Sequence, residues 1–302
     1  MMDNSQSDNI SSKKLMARHG KSFYWASLFL GSNLASSAAQ LYKFCRFVDD
    51  LADGDIPDRQ ALLENIRACL NGHNQPASSE IDAFLNLAAK HNIPLTAATE
   101  LLDGMLSDQT PTAFESEAEL LRYCYAVAGT VGIMMCRVLN CKEQRAESFA
   151  IDLGIAMQLT NIARDVLEDA QMERRYLPAS WVNLTASEIA NMNATCHEPV
   201  ALAIKRMLDL AEDYYESALL GIQLLPFRSR FSITIALRVY RQIGVSLRHR
   251  NYCWWHGRVY VATPKKALLS LRSIVDLRPI KVPAHNKQLH RHLKGLSGVA
   301  SS

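Results

Sequence analysis

Residues 158–169, QLTNIARDVLED, bring three acidic side chains, an arginine and two side-chain amides together between apolar stretches. At 3.6 residues per turn, Gln158, Asn161, Asp165 and Asp169 fall on one helical face, spaced by three, four and four positions. Leu159, Ile162, Val166 and, on the flank, Ala163 fill much of the remainder. A polar stripe on so apolar a helix either faces water or faces something that needs carboxylates and amides in a row.

The same period runs through the chain. It predicts helices near 15–30, 34–54, 58–71, 79–91, 95–108, 116–140, 143–170, 199–221, 228–249 and 264–273. Pro57, Asn71-Gly72, Pro94, Pro111, Pro178, Pro199, Pro226 and Pro264 stand at their ends or first turns. Only FSITIA, 231–236, is strand-like, and it is embedded in a helical pattern. The widest break, about 177–198, reads as a loop with a short helix. The fold class is therefore all-α, without an internal repeat.

A second stretch echoes the first. In LYKFCRFVDDLAD, 41–53, Tyr42, Arg46, Asp49 and Asp53 again share one face. Sixteen aspartates make one Asp-x-x-x-Asp unremarkable, and the chain has three such pairs. Asp209/Asp213 lies in a charged stripe with Lys205 and Glu216, the pattern of a solvated face. The other two pairs have no lysine four residues on, and like charges at that spacing repel. A divalent cation would offset that repulsion, and an all-oxygen donor set suits Mg²⁺, or Mn²⁺ in its place, better than zinc. Two opposed pairs would hold metals around a diphosphate, with Arg46 and Arg164 as donors to the developing negative charge. The bland alternatives are two solvated faces and intrahelical ion pairs such as Arg164 with Glu168.

Bulk properties bound the rest. The chain has 302 residues, 48% hydrophobic and 21% charged, with a net charge of +3. That balance supplies no field for nucleic acid, and the length allows one large helical domain. Seven cysteines, with no Cys-x-x-Cys, read as buried thiols of a reducing compartment. The polar first 14 residues lack a signal-peptide core, and no run of 18 apolar residues occurs. The expected location is cytoplasmic, with membrane association at the cytoplasmic face as an option. Residues 1–14 and 276–302 are expected to be flexible, the latter basic, around a domain at 15–275.

Beyond these readings, HGKSFYWAS (19–27), LYKFCRFVDDLADG (41–54), YCYAVAGTVGIMM (123–135), DLGIAMQLTNIARDVLEDA (152–170), RRYLPASW (174–181) and VYRQIGV (239–245) resemble the head-to-head trans-prenyl synthases. That family includes the squalene, dehydrosqualene and phytoene synthases, and the bacterial phytoene synthases are the most similar group. The resemblance covers roughly residues 15–270 and implies one isoprenoid-synthase-type helical domain around a deep central cavity. It implies that Asp49, Asp53, Asp165 and Asp169, with Asn161, hold Mg²⁺ and diphosphate. His19, Lys21, Ser22 and Arg46 correspond to diphosphate-contacting positions. Tyr42, Tyr123, Gln158, Arg164, Tyr176, Tyr240 and Arg258 correspond to residues around the reacting centre or the second diphosphate. Glu173 departs from the glycine of many relatives, and the spacing from Tyr240 to Arg258 is one residue longer than in some.

The stripe Tyr123, Val127, Val131 and Met135, beside Gly129 and Gly132, fits a wall along a prenyl tail, as do Gly154 and Met157. Ordinary core packing is the alternative. The implied reaction joins two geranylgeranyl diphosphates into phytoene through a cyclopropyl diphosphate, without NADPH, for carotenoid biosynthesis. The alternatives are dehydrosqualene, presqualene diphosphate or squalene from farnesyl diphosphate and, in another class, a non-catalytic helical scaffold. The implied partners are prenyl diphosphates and a peripheral membrane contact for product release.

Overall fold

Two long helices, α9 (Ala146–Gln171) and α11 (Ala194–Gly221), form the centre of the molecule. Ile151, Ile155, Leu159, Ile162 and Val166 of α9 recur every three or four residues and are buried. From α11, Val200, Ile204, Met207, Ala211 and Ala218 are buried with them, and Tyr215 meets the Thr160 hydroxyl at 3.0 Å. The computed structural model describes residues 2–54, 58–74, 76, 78–107 and 112–299, without the side chains of residues 2–10 and Asp53. Among them there is no strand, and the one β-type pairing is a bridge between Ala113 and Arg175.

The remaining helices surround this pair. They are α1 (Met2–His19), α2 (Lys21–Ser27), α3 (Ser32–Asp53), α4 (Arg59–Leu70), α5 (Ser79–His91) and α6 (Leu95–Ser107). Then come α7 (Glu117–Cys124), α8 (Thr130–Val138), the short α10 (Ala186–Ala190), α12 (Phe227–His249) and α13 (Thr263–Arg272). Local chemistry sets several boundaries. The hydroxyls of Ser78 and Ser116 accept the first free amides of α5 and α7, and Thr185 with Glu188 forms a reciprocal cap on α10.

The structure departs from the expected boundaries in four places. The helix expected at 15–30 is two, α1 starting at Met2 and a break at Gly20, where a Cβ would lie 2.9 Å from the Tyr42 ring. The expected helix 116–140 is interrupted by a π-helical turn at Tyr125–Gly129. Helix α11 begins at Ala194, upstream of Pro199, which lies inside the helix and has no amide to donate to the carbonyl four residues back. Finally, the C-terminal residues, expected as a flexible tail, pack back on the body. Leu293 is fully buried, Tyr214 donates to the Leu289 carbonyl at 2.7 Å, and Arg122 donates to the His292 carbonyl. Short apolar pieces spaced between polar residues are enough to dock the segment, although they are too few to register as a core pattern.

Candidate active site

The polar face of α3 forms one wall of a cavity of about 250 Å³, lined by Tyr42, Cys45, Arg46 and Asp49. Gln158 of α9 stands across it, with Tyr123, Arg174 and Tyr176 completing the rim. Arg46 donates to Asp49 at 3.1 Å and also pairs with Asp50, so the intrahelical ion pair exists inside the cavity wall. The rings of Tyr123 and Tyr176 stack at 5.0 Å with their hydroxyls 3.3 Å apart, and Phe114 packs against both. Two unrelated segments thus present adjacent aromatic faces to one space.

A second cavity, about 290 Å³, shares Tyr42, Cys45, Val127 and Gln158 with the first and is almost wholly apolar. Val131, Gly132 and Met135 line it from α8, and Gly154 and Met157 from α9. Ile233 and Ala236 of α12 and the Ile222–Leu225 turn supply further wall. The π-helical turn adds one residue to the local repeat and so rotates the face that α8 presents, and both Val127 and Ala128 reach the cavity. Burial pushes the Cys45 thiol and the Tyr240 phenol up to about 12, so both stay protonated walls.

Asn161 lies at the join of polar and apolar regions. Its amide nitrogen donates to Gln158 at 3.3 Å, while its buried Oδ1 has no hydrogen-bond partner. A buried acceptor without a partner costs about 1–3 kcal/mol, which makes this oxygen a place where a ligand atom or ion would be stabilising.

Asp165, one turn further, is gripped by two guanidiniums, Arg164 at 2.7 and 2.6 Å and Arg258 at 2.6 Å. Burial opposes the charge of Arg164, yet its hydrogen bonds to Asp165 raise its pKa above the ordinary arginine value. Arg164 therefore bonds its neighbour directly, and Glu168 acts on it through charge. Tyr240 feels Arg164, Tyr42, Asp165 and Arg258, which ties this cluster to the α3 wall. Asp169 is half-buried on the same helix, and neither it nor Asp165 lines the described cavities. The Asp53 side chain lies outside the described residues. Asp209 pairs with Lys205 and Arg248 at the surface, away from both cavities, as the charged stripe predicted.

His19, Lys21 and Ser22 sit at the break between α1 and α2, beside Tyr42, the first two exposed. Phe23 comes next, its ring 5.0 Å from Tyr240 and 6.4 Å from Tyr42. The structure thus joins Tyr42, Arg46, Asp49, Tyr123, Gln158 and Tyr176 in one cavity, and Val127, Val131, Gly132, Asn161 and Tyr240 in the next.

Sequence reasoning missed Arg174 and Cys45. Arg174 precedes Arg175, which is buried and donates to the Phe114 carbonyl and Glu115. Adjacent arginines give no sequence signal of which one faces the cavity. Glu173, the departure from glycine, has φ +60° and closes α9 with paired amide bonds, Glu173 to Ala170 and Arg174 to Asp169. That turn aims Arg174 at the cavity.

A sequence model of the squalene/phytoene synthase family matches residues 16–265. The chain is 34% identical to a 15-cis-phytoene synthase of Enterobacter agglomerans, the match covering 82% of this chain and 89% of that one. It is likewise 34% identical to the 15-cis-phytoene synthase of Paracoccus sp. (strain N81106 / MBIC 01143), covering 88% and 90%. Among solved structures, a ligand-bound dehydrosqualene synthase superposes with a TM-score of 0.79 at 26% identity, over 91% of this chain and 98% of that one. A squalene synthase from Alicyclobacillus acidocaldarius shares the fold, with a TM-score of 0.72 at 23% identity, over 82% and 96%.

Proposed function

The chain belongs to the squalene/phytoene synthase family, and from that premise we propose that it joins two geranylgeranyl diphosphates head to head into phytoene, for carotenoid biosynthesis. The observation that carries this reading is the continuity of a polar, arginine- and aspartate-bearing cavity with an apolar one. A prenyl diphosphate has the same two ends.

The donor set fits Mg²⁺. Asp49, Asp53, Asp165 and Asp169 offer carboxylate oxygens, and Asn161 Oδ1 is buried without a partner. These residues would hold the ion, which when bound supplies Lewis-acid stabilisation of the departing diphosphate. Arg46, Arg164, Arg174 and Arg258 donate to diphosphate oxygens, with His19, Lys21 and Ser22 at the rim. As the first carbon–oxygen bond breaks, diphosphate leaves with the electron pair. The second substrate's double bond then attacks the allylic cation, and proton loss closes the cyclopropane. A second ionisation, rearrangement to the 1-1′ bond and loss of another proton give the product, with no reductant consumed. The faces of Tyr42, Tyr123, Tyr176 and Tyr240 stabilise cationic carbon, while the apolar wall excludes water.

Incubating pure protein and Mg²⁺ with geranylgeranyl or farnesyl diphosphate, without NADPH, and analysing products by mass tests the reading. The twenty-carbon substrate should yield phytoene. A dehydrosqualene product from the fifteen-carbon substrate would favour the second reading, which the likeness to the dehydrosqualene synthase supports. No diphosphate release from either would leave the scaffold reading.

Peripheral membrane contact belongs to the same proposal. No helix among the described residues is long and apolar enough to cross a membrane. Leu271, Ile274, Val275 and Ile280 are nevertheless exposed among exposed Arg272, Arg278 and Lys281. Gln223, between the cavity residues Ile222 and Leu225, donates to the Asp276 carbonyl, so this patch adjoins the apolar cavity. Exposed apolar groups ringed by cations fit an anionic lipid surface. The protein should float with anionic vesicles, less so at high salt, and Ile274→Asp should reduce flotation. Equal flotation of the variant would remove the patch from the proposal.

A further inference from the structure

Six residues before Gln158 on α9, a fully buried carboxylate collects three side chains from distant parts of the chain. Asp152 accepts from Ser217 Oγ of α11 at 2.6 Å. Its two oxygens each lie 2.7 Å from a histidine Nε2, His285 on Oδ2 and His290 on Oδ1. The histidine rings are 4.4 Å apart, and one donor atom from each of the three residues lies within 4.8 Å of the others. His290 is buried, and the His285 side chain is 11% exposed.

We propose that Asp152, His285 and His290 form a transition-metal site, taking Zn²⁺, separate from the oxygen donors of the active site. Two imidazole nitrogens and one carboxylate are the donors of a borderline ion and not of Mg²⁺. Four residues separate the two histidines, within the spacing of paired zinc ligands on one local segment. Ser217 holds the carboxylate from behind, the outer support that orients metal-binding carboxylates. With bonds of about 2.1 Å, tetrahedral Zn²⁺ holds its donors about 3.4 Å apart, so each 2.7 Å pair would open by about 0.7 Å. The partly exposed His285 leaves one side of the site open toward solvent.

Charge points the same way. The Asp152 carboxylate has no exposure, and its oxygens are met by Ser217, His285 and His290. A divalent ion there would neutralise it, held by both Nε2 atoms while each imidazole carries its proton on Nδ1 instead. The His285 ring also stands edge-on to Phe149, which lines the apolar cavity. An ion here would therefore fasten the C-terminal segment to the helix that carries Gln158 and Asp165, directly behind the cavity wall.

The test uses the full chain, stripped with chelator and returned to excess Mg²⁺ so that the oxygen donors are satisfied. Titrated with Zn²⁺, the wild-type protein should retain close to one equivalent per chain through gel filtration, and its melting temperature should rise. With Co²⁺ it should show the intense visible bands of a tetrahedral ion. His290→Gln and His285→Gln should each lose the retained equivalent and the bands, and Ser217→Ala should weaken binding by about 10–100-fold. Folded wild-type protein that retains no Zn²⁺ would overturn the site, as would equal retention in both histidine variants. Either result leaves the prenyl-diphosphate reading untouched, because none of these measurements uses turnover.

Discussion

An aspartate between two guanidiniums plays a different part from one beside a single arginine, and Asp165 and Asp49 differ in this way. Asp165 is bonded by both Arg164 and Arg258, so Asp165→Asn removes a structural partner together with any metal charge. Asp49→Asn disturbs less, since Arg46 keeps Asp50, and gives the cleaner test. We expect Asp49→Asn to lower kcat/KM by about 10²–10³, the scale for losing one stabilising group at a developing charge, with the helical CD signal intact. Asp209→Asn at the solvated surface should turn over like the wild type, and matched losses at both sites would remove Asp49 from the metal set. Glu173 carries the second prediction at this scale. A non-glycine residue at φ +60° costs about 1–2 kcal/mol, of which glycine's greater unfolded freedom returns about 0.5–1. Glu173→Gly should raise the melting temperature slightly, by no more than about 3 °C in a chain this long, and a fall would show that Glu173 makes a compensating contact. The aspartate stripes were legible because helical spacing is a local property, whereas Glu173 stood out only through the resemblance to a family that has glycine there. Arg174 was not, because the turn that separates it from Arg175 depends on backbone torsion invisible in the letters.

Elements were readable wherever burial followed a single period. The limits of α5 match the expected helix 79–91, with Ser78 and the left-handed Asn92 closing its two ends. The stripe Tyr123, Val127, Val131 and Met135 lines the two cavities, although the π-helical turn that divides it left no mark on the apolar pattern. Gly132 shows what such a reading lacks. It touches the cavity, but a Cβ there would stand 2.2 Å from the Ala150 carbonyl oxygen, and one at Gly154 would stand 2.2 Å from that of Ala128. These glycines let the backbones of the α7–α8 arm and α9 meet, so Gly132→Leu should unfold or separate the arm before it tests tail length. Val131→Phe fills the cavity from a side chain already pointing into it. Overpacking a confined apolar site costs about 1–3 kcal/mol, enough for about a tenfold change in preference. The expected result is a larger fall in kcat/KM for the twenty-carbon diphosphate than for the fifteen-carbon one, at unchanged Mg²⁺ dependence. Equal falls would place Val131 in plain packing.

Across the whole molecule, the reading least available from sequence is how the chain ends. A stretch with alternating basic residues, prolines and single leucines has the composition of a solvated tail, and its partners lie 75 to 197 residues upstream. The structure pins it at separate points. His285 and His290 meet Asp152, the Leu289 carbonyl takes the Tyr214 hydroxyl, and Ser297 bonds Glu100 through both its amide and its hydroxyl. The Tyr125 hydroxyl, at the first residue of the π-helical turn, lies within hydrogen-bond distance of both Glu100 and the Ser297 carbonyl, its one proton shared between them. The segment therefore braces both α9 and the turn that shapes the cavity. Removing residues 279–302 would strip Asp152 of two partners, with Ser217 left as its side-chain donor. Losing a hydrogen bond to a buried carboxylate costs about 1.5–3 kcal/mol, and lost burial of Leu293 adds about 1.5–3. Both figures are large beside a typical folding stability of about 5–15 kcal/mol. The truncated protein should melt well below the full chain and, at temperatures where it stays folded, lose activity through a rise in KM, because the cavity wall is slackened while the aspartates remain. Truncation that left both the melting temperature and KM unchanged would make the segment a passenger on the surface, and its buried contacts would then contribute nothing to the fold.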